Sequence, residues 1–139
     1  MPRTTSEIAH DIANFEPPED GNWRHLDSLL DELWRAGNPE QAMPEMLSVF
    51  ERYPEEDGYG VMWTIVHGLE SLPNYQPELL RSLARQPSEL GITMVGRILN
   101  AGTTEIGGVS LLQTLHDLAN TAASSYIREE ALRVASRPR

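Results

Sequence analysis

The sequence predicts an all-α chain of about eight short helices, joined in antiparallel hairpins and stacked as a solenoid. Three observations point there. Leu occurs 17 times against 13 for Val and Ile together, and aromatics make up only 6% of the chain, a balance that favours helix over sheet. Most of the 10 prolines fall where a 3.6-residue apolar period stops, so they mark helix ends. Glycines nevertheless sit inside helical patterns at Gly68, Gly91 and Gly96, each at a cost of about 1 kcal/mol relative to Ala. Such glycines suit helices that press closely together.

The elements follow in order. Ile8, Ile12 and Phe15 share a face of a first helix over about 6–15, with Thr4 and Glu7 spaced for a capping box and Pro17-Pro18 as the stop. The second, over 23–36, carries the stripe Trp23, Leu26, Leu30, Leu33 and Trp34 and ends at Gly37. Asn38 reads as an N-cap with Pro39 as first helical residue, and Pro44 splits that segment into a turn and a helix bearing Met46, Leu47 and Phe50. Asp57 reads as the N-cap of a helix over 58–72, apolar on most faces and therefore central. Asn74–Arg85 presents Leu79, Leu80 and Leu83. Ser88 caps a helix over 89–101 in which Leu90, Met94, Val95 and Ile98 face inward. Gly102 to Gly108 reads as a flexible connection to a helix over 109–122 with Leu111, Leu112, Leu115 and Leu118. Ser124 or Ser125 caps the last, packed through Ile127, Leu132 and Ala135.

Connections of roughly 2–8 residues imply antiparallel neighbours. Nearly all-apolar helices alternate with amphipathic ones at an irregular, HEAT-like spacing, so the expected architecture is a short, degenerate HEAT-like α-solenoid. The 139 residues fit one domain, with an acidic N-terminal part over 1–57 and a helical core over 58–139.

Composition removes whole classes of chemistry. All 11 bases are Arg, so Schiff-base, phosphate-loop and Ser-Lys chemistry have no lysine to use. With 0 Cys there is no thiol nucleophile, thiolate metal site or disulfide. A net charge of −10 repels phosphate backbones and argues against nucleic acid as a ligand. The first residues lack the apolar core of a signal peptide, and no stretch approaches the ~20 apolar residues of a membrane span. The expectation is a cytoplasmic protein with no membrane partner.

The charge is lopsided. Residues 1–57 hold 14 acids and 4 Arg, whereas 58–139 hold 7 of each. Glu16, Glu19 and Asp20 form one loop cluster, Glu55, Glu56 and Asp57 another, and Asp27, Asp31 and Glu32 lie on the helix between them. Trp23, Trp34, Tyr53 and Tyr59 interleave with these acids. Solvated acidic faces keep small domains soluble. A surface of this kind also suits docking to a basic partner, accelerating association and fixing orientation, with aromatic anchors supplying much of the energy.

No enzyme is visible. His67 and Glu70 stand at i, i+3, but the order is the reverse of the Glu-x-x-His used by bundle metal sites and no second copy exists. His116-Asp117 point to different faces, and His10 and His25 lack partners at ligand spacing. No Gly-x-Ser-x-Gly elbow occurs, and Gly107-Gly108 before a helix lacks the lysine and strand of a phosphate loop. The sequence therefore implies no catalytic residues, no cofactor and no metal.

One stretch carries a resemblance. Asp57-Gly58-Tyr59-Gly60-Val61-Met62-Trp63, His67-Gly68-Leu69-Glu70, Ser71-Leu72-Pro73, Pro87-Ser88-Glu89 and Arg97-Ile98-Leu99-Asn100-Ala101-Gly102 together resemble a family of small α-helical, HEAT-like immunity proteins. Those proteins are encoded beside toxins of bacterial polymorphic systems, contact-dependent or type VI-delivered. The resemblance implies stoichiometric binding of a cognate toxin domain in the cytoplasm, without chemistry. A basic toxin, such as a nuclease or nucleotide-targeting enzyme, would complement the acids. The expected partner-binding set is Glu16, Glu19, Asp20, Trp23, Asp27, Asp31, Glu55, Glu56, Asp57 and Tyr59. Trp63, His67 and Glu70 join it at i, i+4, i+7 on one helix face, unless that face turns to a neighbouring helix. A HEAT-like adaptor for an endogenous basic protein is the competing expectation, and a helical enzyme using His67 and Glu70 a third.

Overall fold

A computed structural model of the chain describes residues 3–139. Eight α-helices carry the architecture: α1 (Thr5–Ala13), α2 (Arg24–Ala36), α3 (Met43–Arg52), α4 (Met62–Glu70), α5 (Tyr75–Arg85), α6 (Glu89–Asn100), α7 (Leu111–Thr121) and α8 (Ser125–Ala135). A 3-10 turn, Pro39–Ala42, precedes α3, and a two-stranded hairpin, β1 (Glu105–Ile106) and β2 (Val109–Ser110), precedes α7.

Cross-helix bonds establish a two-layered stack. Arg52 at the end of α3 donates to the carbonyls of Ile12, at 2.9 Å, and Phe15, at the end of α1. Glu51 accepts from Ser82 at 2.8 Å and from Arg85 at 3.0 Å, both at the end of α5. Helices α1, α3 and α5 therefore run parallel in one layer. In the other, Thr64 at the start of α4 donates to Asp27 near the start of α2 at 3.3 Å. Tyr126 at the start of α8 donates to Glu89 at the start of α6 at 2.9 Å. Each helix also packs on its sequence neighbour in the other layer: α1 on α2, α3 on α4, α5 on α6, α7 on α8. Parallel neighbours within a layer and hairpins between layers make an α-solenoid. One continuous apolar core runs from Ile8 to Val134.

The helix glycines sit where the stack is tightest. A Cβ on Gly68 would lie 2.5 Å from Trp34 of α2, on Gly91 2.8 Å from Leu83 of α5, and on Gly96 2.7 Å from Val134 of α8. Three starts match their sequence signals. Thr4 and Glu7 form the reciprocal capping box, and Ser88 and Ser124 accept from the backbone N–H three residues on.

Other expectations are corrected. Asp57 does not cap a helix over 58–72; α4 starts at Met62, because Gly58, Tyr59 and Gly60 all adopt positive φ (60°, 54°, 90°), which no α-helix accommodates. Asp57 instead accepts from the Tyr59 N–H at 3.1 Å and closes a turn. Asn38 is left-handed and makes no side-chain cap, serving as a stop before Pro39. The 102–108 connection contains a paired hairpin whose two-residue turn, Gly107-Gly108, has the two positive φ values a tight hairpin needs. Leu132 and Leu112 point outward, 52% and 41% exposed, on the solvent side of the terminal hairpin.

Candidate functional site

The two acidic loops meet at one edge, and buried aromatics bring them together. Trp23, 5% exposed, packs 5.4 Å from Phe15 and edge-on, 5.2 Å, against Tyr53. Gly58 lies against the indole, where a Cβ would come within 2.8 Å. The end of α1, the start of α2, the end of α3 and the turn before α4 thus share one apolar plug. Trp23 is consequently no contact residue, correcting the sequence expectation; its indole is enclosed by the very segments that bear the acids.

Tyr59 stands above that plug in the opposite condition. It is 86% exposed and left-handed, with its ring beside Gly21 of the first acidic loop. A non-glycine residue held at positive φ with its ring in solvent is a strained placement, of the kind found at binding sites. Glu16, Glu19 and Asp20 on the first loop and Glu55, Glu56 and Asp57 on the second are all exposed. Among the described residues none of these six ion-pairs with an Arg or His. Asp20 accepts from the Asn22 N–H and Glu55 from the Ser124 hydroxyl, so their charge stays unneutralised. The adjacent Arg52 is engaged with backbone carbonyls.

Asp27, Asp31 and His67 lie on the outer face of the α2–α4–α6–α8 layer. Asp31 pairs with Arg35 on its own helix. With Trp34 and Thr64 they line a groove of about 630 Å³ between α2 and α4. Trp34, expected inside, is 37% exposed because its ring lies across Gly68 at the end of the seam.

Trp63, His67 and Glu70 share this outer face rather than the interface with the other layer. Arg97 of α6 joins them: it donates to Glu70 at 2.7 and 2.9 Å, and its guanidinium lies 5.9 Å from the Trp63 ring centre. Its hydrogen bonds to Glu70 hold Arg97 above the usual guanidinium range. His67 is exposed, 3.9 Å from Glu70, whose carboxylate is already engaged by Arg97.

A second groove, of about 650 Å³, runs between α6 and α8 beneath the 55–57 loop. Sequence reasoning missed its walls. Glu89, Thr93, Arg97 and Asn100 form one helical stripe, and Tyr126, Glu130, Arg133 and Arg137 another; polar residues at i, i+4, i+7 or i+8 were the available signal. Burial pushes the Glu89 carboxyl up from its ordinary value, against the opposing effect of the Tyr126 hydroxyl that donates to it.

Comparison with protein-family models, curated proteins and solved structures finds no match to the chain. The class is therefore set by architecture: a short α-solenoid with a polar, grooved layer and an acidic loop edge. No described helix is long and apolar enough to cross a membrane.

Proposed function

We propose that this chain is an immunity protein that binds a cognate bacterial toxin domain in the cytoplasm and neutralises it stoichiometrically, without chemistry of its own. One observation carries the reading: six exposed carboxylates with no Arg or His partner lie on two loops that meet where the exposed ring of Tyr59 sits beside Gly21, above a buried aromatic plug. Concentrated charge of one sign steers an oppositely charged partner and raises its association rate by roughly 10–10³-fold at low salt. An exposed Tyr at its centre supplies a large, rigid contact. Asp27, Asp31 and the Trp63–His67–Glu70 face extend that surface along the layer. The resemblance of 57–102 to HEAT-like immunity proteins supplies the partner class, a basic toxin domain.

The test is co-expression with the toxin domain encoded beside this gene. Wild-type chain restores growth and forms a 1:1 complex whose association slows as salt rises. The variant E55R/E56R associates about tenfold more slowly at low salt. Failure to restore growth excludes the immunity reading; stable capture of a host protein by the same edge would favour the adaptor.

A further inference from the structure

We infer that the groove between α6 and α8 seats a short segment of a protein partner carrying opposite charges at its two ends. A Lys or Arg side chain would meet Glu55 and Glu56, and a carboxylate would meet Arg133 and Arg137. This deepens the docking reading above and rests on its premise that the outer layer binds protein, whether or not that protein is a toxin.

The polarity follows from the parallel packing of the two helices. Their N-terminal ends lie together, joined by the Tyr126–Glu89 bond, and the Ser124–Glu55 bond ties the acidic loop to the same end. Their C-terminal ends also lie together, where Val134 closes on Gly96 and Arg139 donates to Asn100 at 3.0 Å. One end of the groove is therefore rich in acceptors. The Glu56 carboxylate has no hydrogen-bond partner among the described residues, and that of Glu55 has the Ser124 hydroxyl alone.

The other end is rich in donors. Arg97 and Arg133 are each fixed by a two-point pair through Nε and Nη2, with Glu70 and Glu130 respectively. A guanidinium has five N–H donors, so Nη1 of each remains available in a fixed orientation. Arg137 has no side-chain partner among the described residues. Glu70 and Glu130 offset the charge of Arg97 and Arg133, so Arg137 is the cation without a side-chain partner at this end, and a uniformly basic segment would satisfy the first end but meet only donors at the second.

Length sets the span of the occupant. The wall from Glu89 to Asn100 is about 16 Å long at 1.5 Å per residue. About five extended residues span it. Trp63 lines the groove between the two ends and reports on occupancy.

The probe is a pair of capped synthetic peptides titrated into isotope-labelled protein: Lys-Lys-Ser-Ser-Ser-Glu-Glu, and the same spacer with Lys-Lys at both ends. The bipolar peptide is expected to shift the Trp63 indole and the α6 and α8 amides, saturating at a concentration at least roughly threefold lower than the all-basic one. Arg137→Glu, a substitution at an exposed site beyond α8, should reverse that order. The proposal is overturned if the all-basic peptide binds these residues more tightly. Shifts confined to the 55–60 loop, or equal shifts from a mixture of free lysine and glutamate, overturn it too. Because no toxin takes part, failure of toxin protection leaves this result readable.

Discussion

Carboxylates at the helix seams and carboxylates at the loop edge differ in what they touch. Glu51, Glu70 and Glu32 each hold an arginine from a distant part of the chain, namely Arg85, Arg97 and Arg3, through two hydrogen bonds. Glu51 and Glu70 connect one helix to another, and Glu32 ties the residue before the α1 cap to α2. Glu16, Glu19 and Glu56 at the edge make no side-chain bond to another part of the chain among the described residues, Glu55 bonds only the Ser124 hydroxyl, and the repulsion among these acids works against folding. The contrast separates acids that build the stack from acids that the stack displays. A protein needing only solubility would gain by distributing the second set.

Breaking the plug beneath the displayed acids should have the largest effect. Trp23→Ala removes a nearly buried indole shared by Phe15, Tyr53 and Gly58, and is expected to lower stability by about 3–5 kcal/mol in urea unfolding. Hydrogen exchange should accelerate in 16–21 and 55–60 together, because one side chain supports both. Acceleration in one loop alone would show that the two are held independently.

Removing a seam acid comes next. Glu51→Ala leaves the hydroxyl of Ser82, 1% exposed, without its carboxylate and releases Arg85. The expected loss is about 1–3 kcal/mol, partly recovered by Glu51→Gln, which retains an acceptor. At the edge the sign differs. Replacing Glu55 and Glu56 by Arg should change stability by less than about 0.5 kcal/mol, or raise it, while slowing partner association. A loss as large as that of Glu51→Ala would place those loop acids among the structural ones.

Much of the stack was legible because its signals are local. The Thr4–Glu7 box, the Ser88 and Ser124 caps and the three helix glycines each depend on residues within a turn of one another, or on a side chain too small to be accidental. What was not legible depends on distance. Periodicity puts Trp23 and Trp34 on one stripe, yet Phe15, Tyr53 and the 58–60 turn enclose the first while only Gly68 of α4 backs the second. The Glu70–Arg97 pair joins positions 27 apart, so Glu70 alone could suggest a partner contact but not its partner within the chain. The α4 start was misplaced because Asp-Gly fits both an N-cap and a left-handed turn, and the choice rests on Gly58 meeting Trp23. The six edge acids were legible as clusters; that their loops touch required the fold.

The smallest effect separates the two populations by pH. Arg3 hydrogen-bonds to Glu32, at 2.7 and 3.0 Å, and to Asp11, and those bonds hold both carboxyls below their ordinary values. A carboxyl whose value is lower in the folded than in the unfolded chain adds stability above the unfolded value, near 4, and loses it as pH falls through the folded one. Glu89 has the opposite sign: burial raises it, so its contribution is full below the unfolded value and is lost as pH rises through the folded one. Arg3→Ala should therefore be less stable than wild type at pH 7, with the gap in urea midpoint closing toward pH 3. Glu89→Gln should gain on wild type as pH rises from 4 to 7. A gap for Arg3→Ala that persisted at pH 3 would mean that Arg3 acts through packing along α1 and α2, and the distinction between connecting and displayed acids would then rest on the α3–α5 and α4–α6 seams alone.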